Sequence, residues 1–292
     1  MLNMTRASVK SIRPRMTHLE NITTIGIMVR EGLGIAYETA LKTVDTILSL
    51  GLTPITVSPL KHRLAESVSE AKELKRKHVD IVAVVGGDGT ILKAVRELDG
   101  EVPILGIAAG GRGILCEVKP NRIDEALKRI KNGEYILDER IRLSTSIGSK
   151  KLAPALNEVF ITRISFDKGT PSYTIIIDEL LKLNQRMDGL IVSTPTGSTG
   201  HSYTLGAPVI FEHLDAFLLT PICPISRMPP MVVPSLKVEV ISNQSTNVVV
   251  DGQKVYDVDA HTSILVQKYE KGAIFIRFGK SFFRQLVNLG FS

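Results

Sequence analysis

Tryptophan is missing from these 292 residues, aromatics make up only 5% of them, and cysteine occurs twice, at Cys116 and Cys223. The two cysteines have no metal-ligand spacing, and a chain of this size has no need of a disulfide framework, so a reducing cytoplasm is the expected setting. No stretch alternates Lys or Arg with stacking rings as single-strand binders do, so nucleic acid is not an expected partner. No apolar run approaches the ~18 residues that cross a bilayer, and no membrane partner is expected either. Residues 1–20 hold Arg6, Lys10, Arg13 and Arg15 with no acid before Glu20. An organelle transit peptide can look like this; a disordered basic tail, or a true start at Met16, is the plainer reading.

What the chain does have is a core. Hydrophobic residues make up 43% of it, dominated by Leu, Ile and Val, which excludes disordered and fibrous classes. The length suits two domains. A net charge of +6 suits anionic small molecules such as nucleotides. From Ile25 onward, short apolar runs alternate with helical periodicity. Strands are expected at 24–29, 53–57, 80–85 and 102–108, with helices at 36–50, 64–77 and after Thr90. That order gives an α/β domain with a parallel sheet. After about Ile141, short runs separated by turn residues replace it, at 156–162, 172–178, 189–194, 236–242, 246–250 and 263–267. These predict an all-β sandwich. The expected division is a basic tail at 1–20, an α/β domain at 21–135, a β-sandwich at 136–275 and a tail at 276–292. A helix at 281–290 would pack back on the first domain.

Five segments carry candidate chemistry. Gly86-Gly87-Asp88-Gly89-Thr90 sits where a strand meets a helix, so its backbone N–H groups can approach a phosphate. A plain strand-to-helix turn, with Asp88 and Thr90 as caps, is the competing reading. It is neither a Walker loop nor a GxGxxG fingerprint. A second Gly-rich loop, 106–113, follows another strand, and two such loops at one sheet edge point to a crevice there. Asn157 and Glu158 interrupt an apolar strand, where burial would oblige them to find partners; an edge strand with both groups solvated is the alternative. The segment 188–208 packs hydroxyls around Gly197, Gly200 and Gly206, a composition that can line a polar pocket or form an ordinary Ser/Thr loop. Asp251-Gly252-Gln253 reads first as a hairpin turn.

Taken in order, "GGDGT", a Gly-rich loop after "PILGI", "LNEV", "DGLIVSTPTGST", "PICPISRMPPMVVP" and "DGQ" resemble the NAD kinase family. That family belongs to a larger group with diacylglycerol kinases and phosphofructokinases. GGDGT is shared with the lipid kinases; "LNEV" and "TPTGST" separate NAD kinases from them. The resemblance runs from about Ile25 to the C-terminal segment. It implies an α/β domain followed by a β-sandwich, and transfer of a phosphoryl group to the 2′-hydroxyl of the adenosine ribose of NAD. Asp88 would be the general base, with Gly86, Gly87, Gly89 and Thr90 near phosphates. Asn157 and Glu158 would bind the adenosine portion of NAD. Asp188, Thr196, Thr199, Gly200, His201, Thr204 and Gln253 would complete the NAD site. The implied donor is ATP, or polyphosphate as in some relatives, with Mg²⁺ or another divalent metal. The implied assembly is a homodimer or homotetramer whose sites are completed by a neighbouring subunit. Two positions depart from the family pattern. Ala108 stands where Asn is usual, and His201 where Tyr is usual, which bears on NAD against NADH preference. Two other readings remain at this stage: a lipid or small-alcohol kinase using the same GGDGT chemistry, and a catalytically silent NAD(P)-binding sensor.

Overall fold

Strands that are apolar along their whole length must be covered on both faces, and the first domain meets that requirement with helices on each side. The computed structural model describes residues 19, 21–110, 113–279, 286, 287 and 290. Apart from Leu19, the basic tail at 1–20 lies outside them, as does most of the helix expected at 281–290. The first domain runs β1 (Thr24–Val29), α1 (Gly34–Ser49), β2 (Thr53–Val57), β3 (Glu66–Val68), α2 (Lys72–Arg76), β4 (Ile81–Gly86), α3 (Asp88–Glu97), β5 (Ile104–Ala108), α4 (Ile123–Lys131) and β6 (Ile136–Arg140). Strands β1 to β5 pair in parallel, in the order β3-β2-β1-β4-β5. Helix α1 buries Ala36, Ala40, Val44 and Ile47, one stripe at helical spacing, against one face of this sheet together with α4. Helix α3 covers the other face with Ile91, Leu92 and Val95.

The single helix expected over 64–77 is instead β3 followed by the one-turn α2. Ser67 and Ser69 flank a β-branched Val68, and such residues favour extended or turn backbone over a helix interior. Pairing with β2 then buries Val68.

The second domain is a sandwich of two antiparallel sheets. Its elements are β7 (Leu143–Ile147), β8 (Lys150–Lys151), β9 (Glu158–Arg163), β10 (Ser172–Ile177), β11 (Leu181–Arg186), β12 (Gly189–Ser193), α5 (His201–Thr204), β13 (Ala216–Ile222), β14 (Met231–Pro234), β15 (Val238–Ser242), β16 (Thr246–Val250), β17 (Lys254–Val258) and β18 (Ser263–Lys268). One sheet has the order β11-β10-β15-β18-β7-β8, the other β14-β13-β12-β9-β16-β17. Strands such as β16 alternate buried and half-buried residues, the pattern of a strand with one face on a core. That core holds Val159, Ile161, Tyr173, Ile175, Phe217 and Val248.

The chain then returns. Strand β19 (Ala273–Arg277) pairs antiparallel with β6 and lies parallel beside β5, so the first sheet is completed as β3-β2-β1-β4-β5-β19-β6. The expected boundary at 136 puts β6 in the sandwich segment and the one at 276 cuts through β19, whereas both strands hydrogen-bond in the first sheet.

Candidate active site

Strand β4 runs straight into α3, and the turn between them carries the GGDGT segment. Gly86 closes β4. A Cβ there would lie 2.8 Å from the Cβ of Thr90, so only glycine lets the helix start so tightly against the strand. Gly87 takes extended backbone at the cap of α3, and Asp88 is the first helical residue. The Asp88 carboxylate accepts two backbone hydrogen bonds from the loop after β5: Ile114 N–H at 3.0 Å and Leu115 N–H at 2.9 Å. Burial raises the Asp88 pKa above its ordinary value, opposed by these two N–H groups and by the charge of Arg277. The carboxylate is therefore both oriented and more basic than one in water.

Asp88 lines a cleft of about 600 Å³ with Gly87, Gly89, Thr90, Arg30, Glu31, Lys93, Gly110 and Gln253. Arg30 supplies positive charge, as does Lys93, which pairs with Glu31 at 3.0 Å, and the α3 N-terminus supplies N–H donors, a setting suited to phosphate. Part of the second Gly-rich loop thus meets the first across this cleft at Gly110; Gly111 and Arg112 lie outside the described residues. Ala108 faces an adjoining cleft of about 750 Å³ lined also by Gly110, Gly113 and Cys116. Burial and the neighbouring Asp88 charge push the Cys116 thiol up to about 12, which keeps it protonated.

The sandwich contributes a second group. Asn157 and Glu158 stand at the start of β9, where the chain meets the 194–200 loop. The Asn157 carbonyl accepts the Thr194 N–H at 2.9 Å, and the Leu156 carbonyl accepts the Thr194 hydroxyl at 2.6 Å. Gly197 packs on the Asn157 backbone so closely that a Cβ would overlap it. Glu158 is buried, and its Oε1 lies 2.6 Å from His201 Nδ1. Burial raises the Glu158 pKa, opposed by His201. The Asn157 Oδ1 and Glu158 Oε2 atoms are buried and have no hydrogen-bond partner among the described residues. Unsatisfied buried acceptors are rare in native proteins, and two on adjacent residues mark a place where something else supplies the donors.

The hydroxyl-rich segment turns out to be mostly self-satisfied. Ser193 and Ser202 share a hydrogen bond of 2.7 Å, and Ser198 accepts from Ile210 N–H while donating to the Pro195 carbonyl. Thr199 donates to the Thr196 carbonyl at 3.3 Å, and both are buried. These side chains build the loop; what the loop presents is Gly200 and His201. A Cβ on Gly200 would come within 3.0 Å of Glu158 Oε2. His201 stacks over Phe160 with ring centroids 6.4 Å apart. Thr204 is exposed and donates to the His201 carbonyl. Asp188 sits elsewhere. It precedes β12 at the end opposite Ser193, and its carboxylate pairs with Arg163 at 3.2 Å.

Residues 251–253 link the two halves; taken alone they read first as a turn, and the resemblance places Gln253 in the NAD site. Asp251 is a turn residue with positive φ, and it is also buried with its carboxylate accepting the N–H groups of Leu156, Asn157 and Glu158 at 2.9, 2.8 and 3.1 Å. Two residues on, Gln253 donates from Nε2 to the Gly89 carbonyl at 2.8 Å and accepts from Arg96. One hairpin therefore holds the Asn157-Glu158 backbone from one end and the GGDGT turn from the other. Turn chemistry alone does not announce the Asp251 clamp, because the N–H groups that its carboxylate holds lie 93 to 95 positions away in the chain.

Two glycine loops and an oriented basic carboxylate at the carboxyl edge of a parallel sheet define a nucleotide-handling site. Comparison with known proteins gives the particular case. The ATP-NAD kinase N-terminal domain matches residues 9–135, and the ATP-NAD kinase C-terminal domain matches residues 156–278. The NAD kinase of Pyrococcus abyssi is 33% identical over 271 residues, covering 88% of this chain and 95% of that protein. The NAD kinase of Thermococcus kodakarensis is 35% identical over 269 residues, covering 88% and 95%. An NAD kinase from Archaeoglobus fulgidus, solved in complex with ATP, superposes with a TM-score of 0.74 at 27% identity, covering 92% of this chain and 99% of that one. Yeast NADH kinase, solved with NADH, shares the fold with a TM-score of 0.83 at 20% identity, covering 93% and 87%. This chain belongs to the ATP-NAD kinase family, and it is an enzyme of the kinase class.

Proposed function

We propose that this chain transfers the γ-phosphoryl group of ATP to the 2′-hydroxyl of the adenosine ribose of NAD, giving NADP and ADP, with Asp88 as the general base. The observation that carries the reading is the Asp88 carboxylate, raised in basicity by burial and aimed by two N–H donors into a glycine-lined cleft that also holds Arg30 and Lys93. In the reaction the ribose hydroxyl gives its proton to Asp88 as its oxygen bonds to the γ-phosphorus. The bond from phosphorus to the β,γ-bridging oxygen breaks, and ADP leaves. Phosphoryl transfer asks for positioning and charge stabilisation more than for covalent chemistry. Arg30, Lys93 and the N–H groups of the α3 turn are placed to provide the second. Asn157 and Glu158 are the residues for the adenosine, supported by their two unsatisfied acceptors.

A divalent cation such as Mg²⁺ fits as part of an ATP complex, because no three acidic, His or Cys side chains converge on a cation position among the described residues. Mg²⁺ commonly binds through phosphate oxygens and one or two carboxylates. Glu31 is the carboxylate beside Asp88 in the cleft that would help to hold it, and the cation would neutralise phosphate charge. The proposed assembly is a homo-oligomer. Asp188, roughly 17 Å along the strand from Ser193 at strand rise, would serve the site of a neighbouring subunit. The cytoplasm is the setting in which two isolated thiols fit best.

The test is direct: purified protein with NAD, ATP and Mg²⁺, with NADP read by an NADP-specific dehydrogenase and polyphosphate run as a parallel donor. Asp88→Asn keeps the size but cannot accept the proton. Its kcat should fall by about 10²–10⁴, the usual worth of a general base, with NAD binding little changed. Retention of more than about a tenth of kcat would make Asp88 a cap or binding group.

A further inference from the structure

Strand β19 ends on a side chain that the reaction above does not use. Its neighbours Phe275 and Ile276 go to the cores on opposite faces of the first sheet, as alternation requires, and Arg277 follows them into the interior at 3% exposure. A guanidinium so placed must be paired and hydrogen-bonded. Its Nε lies 3.2 Å from Asp138 Oδ2 on β6. Its Nη1 donates to the Leu115 carbonyl at 2.9 Å and lies 3.5 Å from Glu117 Oε2. Glu117 in turn accepts the Phe278 N–H at 2.8 Å. The fork thus pins the loop after β5 to the returning strand.

That loop is the one that aims Asp88. The residue whose carbonyl Arg277 holds, Leu115, is the same residue whose N–H reaches Asp88 at 2.9 Å. The loop is also held by the buried Leu115 side chain, by the Cys116 thiol against the Gly86 carbonyl at 3.6 Å and by the Glu117 N–H, which donates to the Gly106 carbonyl at 2.9 Å. Of these contacts, the bond from Arg277 to the Leu115 carbonyl is the one that ties the residue bonded to Asp88 to the returning strand. We propose that Arg277 is a positioning residue for phosphoryl transfer, holding the Ile114 and Leu115 N–H donors on Asp88 through the Leu115 carbonyl. It does not line the Asp88 cleft, so it acts through the loop and through its charge. The inference rests on Asp88 being the base.

The charged and titratable groups around Asp88 are Arg277 from β19, Cys116 from the loop, and Arg30, Glu31 and Lys93 of the cleft. Among these, the Arg277 charge lowers the Asp88 pKa against the effect of burial. Removing it leaves Asp88 to protonate more readily, so the acid limb of the kcat–pH profile moves to higher pH. In Arg277→Met, kcat should fall by about 10- to 100-fold, KM for NAD should change less than about threefold, and the acid limb should move up. Arg277→Lys keeps the charge but loses the planar fork whose Nε and Nη1 reach Asp138 and Leu115 from separate atoms. It should lose about three- to tenfold in kcat, with the acid limb unmoved. In the Asp88→Asn background, Arg277→Met should have no further effect on rate.

Folded Arg277→Met with wild-type kcat and acid limb would overturn the proposal. So would an equal rate loss in the wild-type and Asp88→Asn backgrounds. If Arg277→Met does not fold, Arg277→Lys decides: kcat within twofold of wild type overturns it. Failure of the base assignment is seen separately, as activity retained in Asp88→Asn alone.

Discussion

At the scale of single residues, the site rests on acceptors that the protein leaves unpaired and on one that it pairs unusually. Asn157 Oδ1 is a buried acceptor without a partner, so a donor from the ligand gains a full hydrogen bond there. Losing such a bond costs about 1–3 kcal/mol. Asn157→Ala should therefore raise KM for NAD roughly tenfold or more while kcat holds, and initial rates over a range of NAD will show it. His201 is different. The family resemblance implies a pocket wall where Tyr is usual, and the structure adds a 2.6 Å contact to Glu158. A wall should be replaceable, so His201→Tyr should keep kcat within a few fold and hold or improve NAD affinity. A loss of about a hundredfold or more, the range of acid–base catalysis, would place the imidazole in the chemistry. Sequence exposed Asn157 and Glu158 because polar residues in an apolar run stand out. It could not expose the His201–Glu158 pair, which joins residues 43 positions apart.

At the scale of elements, the hairpin between β16 and β17 matters more than its turn signature suggests. Asp251 holds three consecutive backbone N–H groups, and each would be left buried without an acceptor in Asp251→Ala. At about 1–3 kcal/mol for a buried donor left unsatisfied, the variant should lose several kcal/mol and show a Tm lower by about 5 °C or more. A Tm within a degree of wild type in a thermal melt would mean that water takes over from the carboxylate. Strands such as β2 and β16 were legible to the residue, because their apolar content and turn boundaries are local. Strand β3 was not, since Val68 is extended only because β2 is there to pair with it. Strands β6 and β19 were hidden for the same reason: which sheet accepts a strand is decided far from it in sequence.

At the scale of the whole molecule, one sheet edge and one sandwich face converge, and the hairpin at 251–253 bonds both. If the site is shared between subunits, the particle in solution must exceed a single chain. Light scattering at micromolar concentration should report a multiple of 32.0 kDa; a monomeric mass would leave Asp188 as a structural partner of Arg163 only. Exposed apolar side chains at Ile164, Phe166 and Leu180 are candidates for cover. The return of β19 has a further consequence for how the protein is made. Domains commonly fold one after another as the ribosome releases them. Here the α/β domain is encoded first but lacks an interior strand until residue 277 has emerged, and that strand brings Arg277 with it. The sandwich can close while its elder neighbour is still open, so the Asp88 loop is among the last parts of the nascent chain to find its final shape.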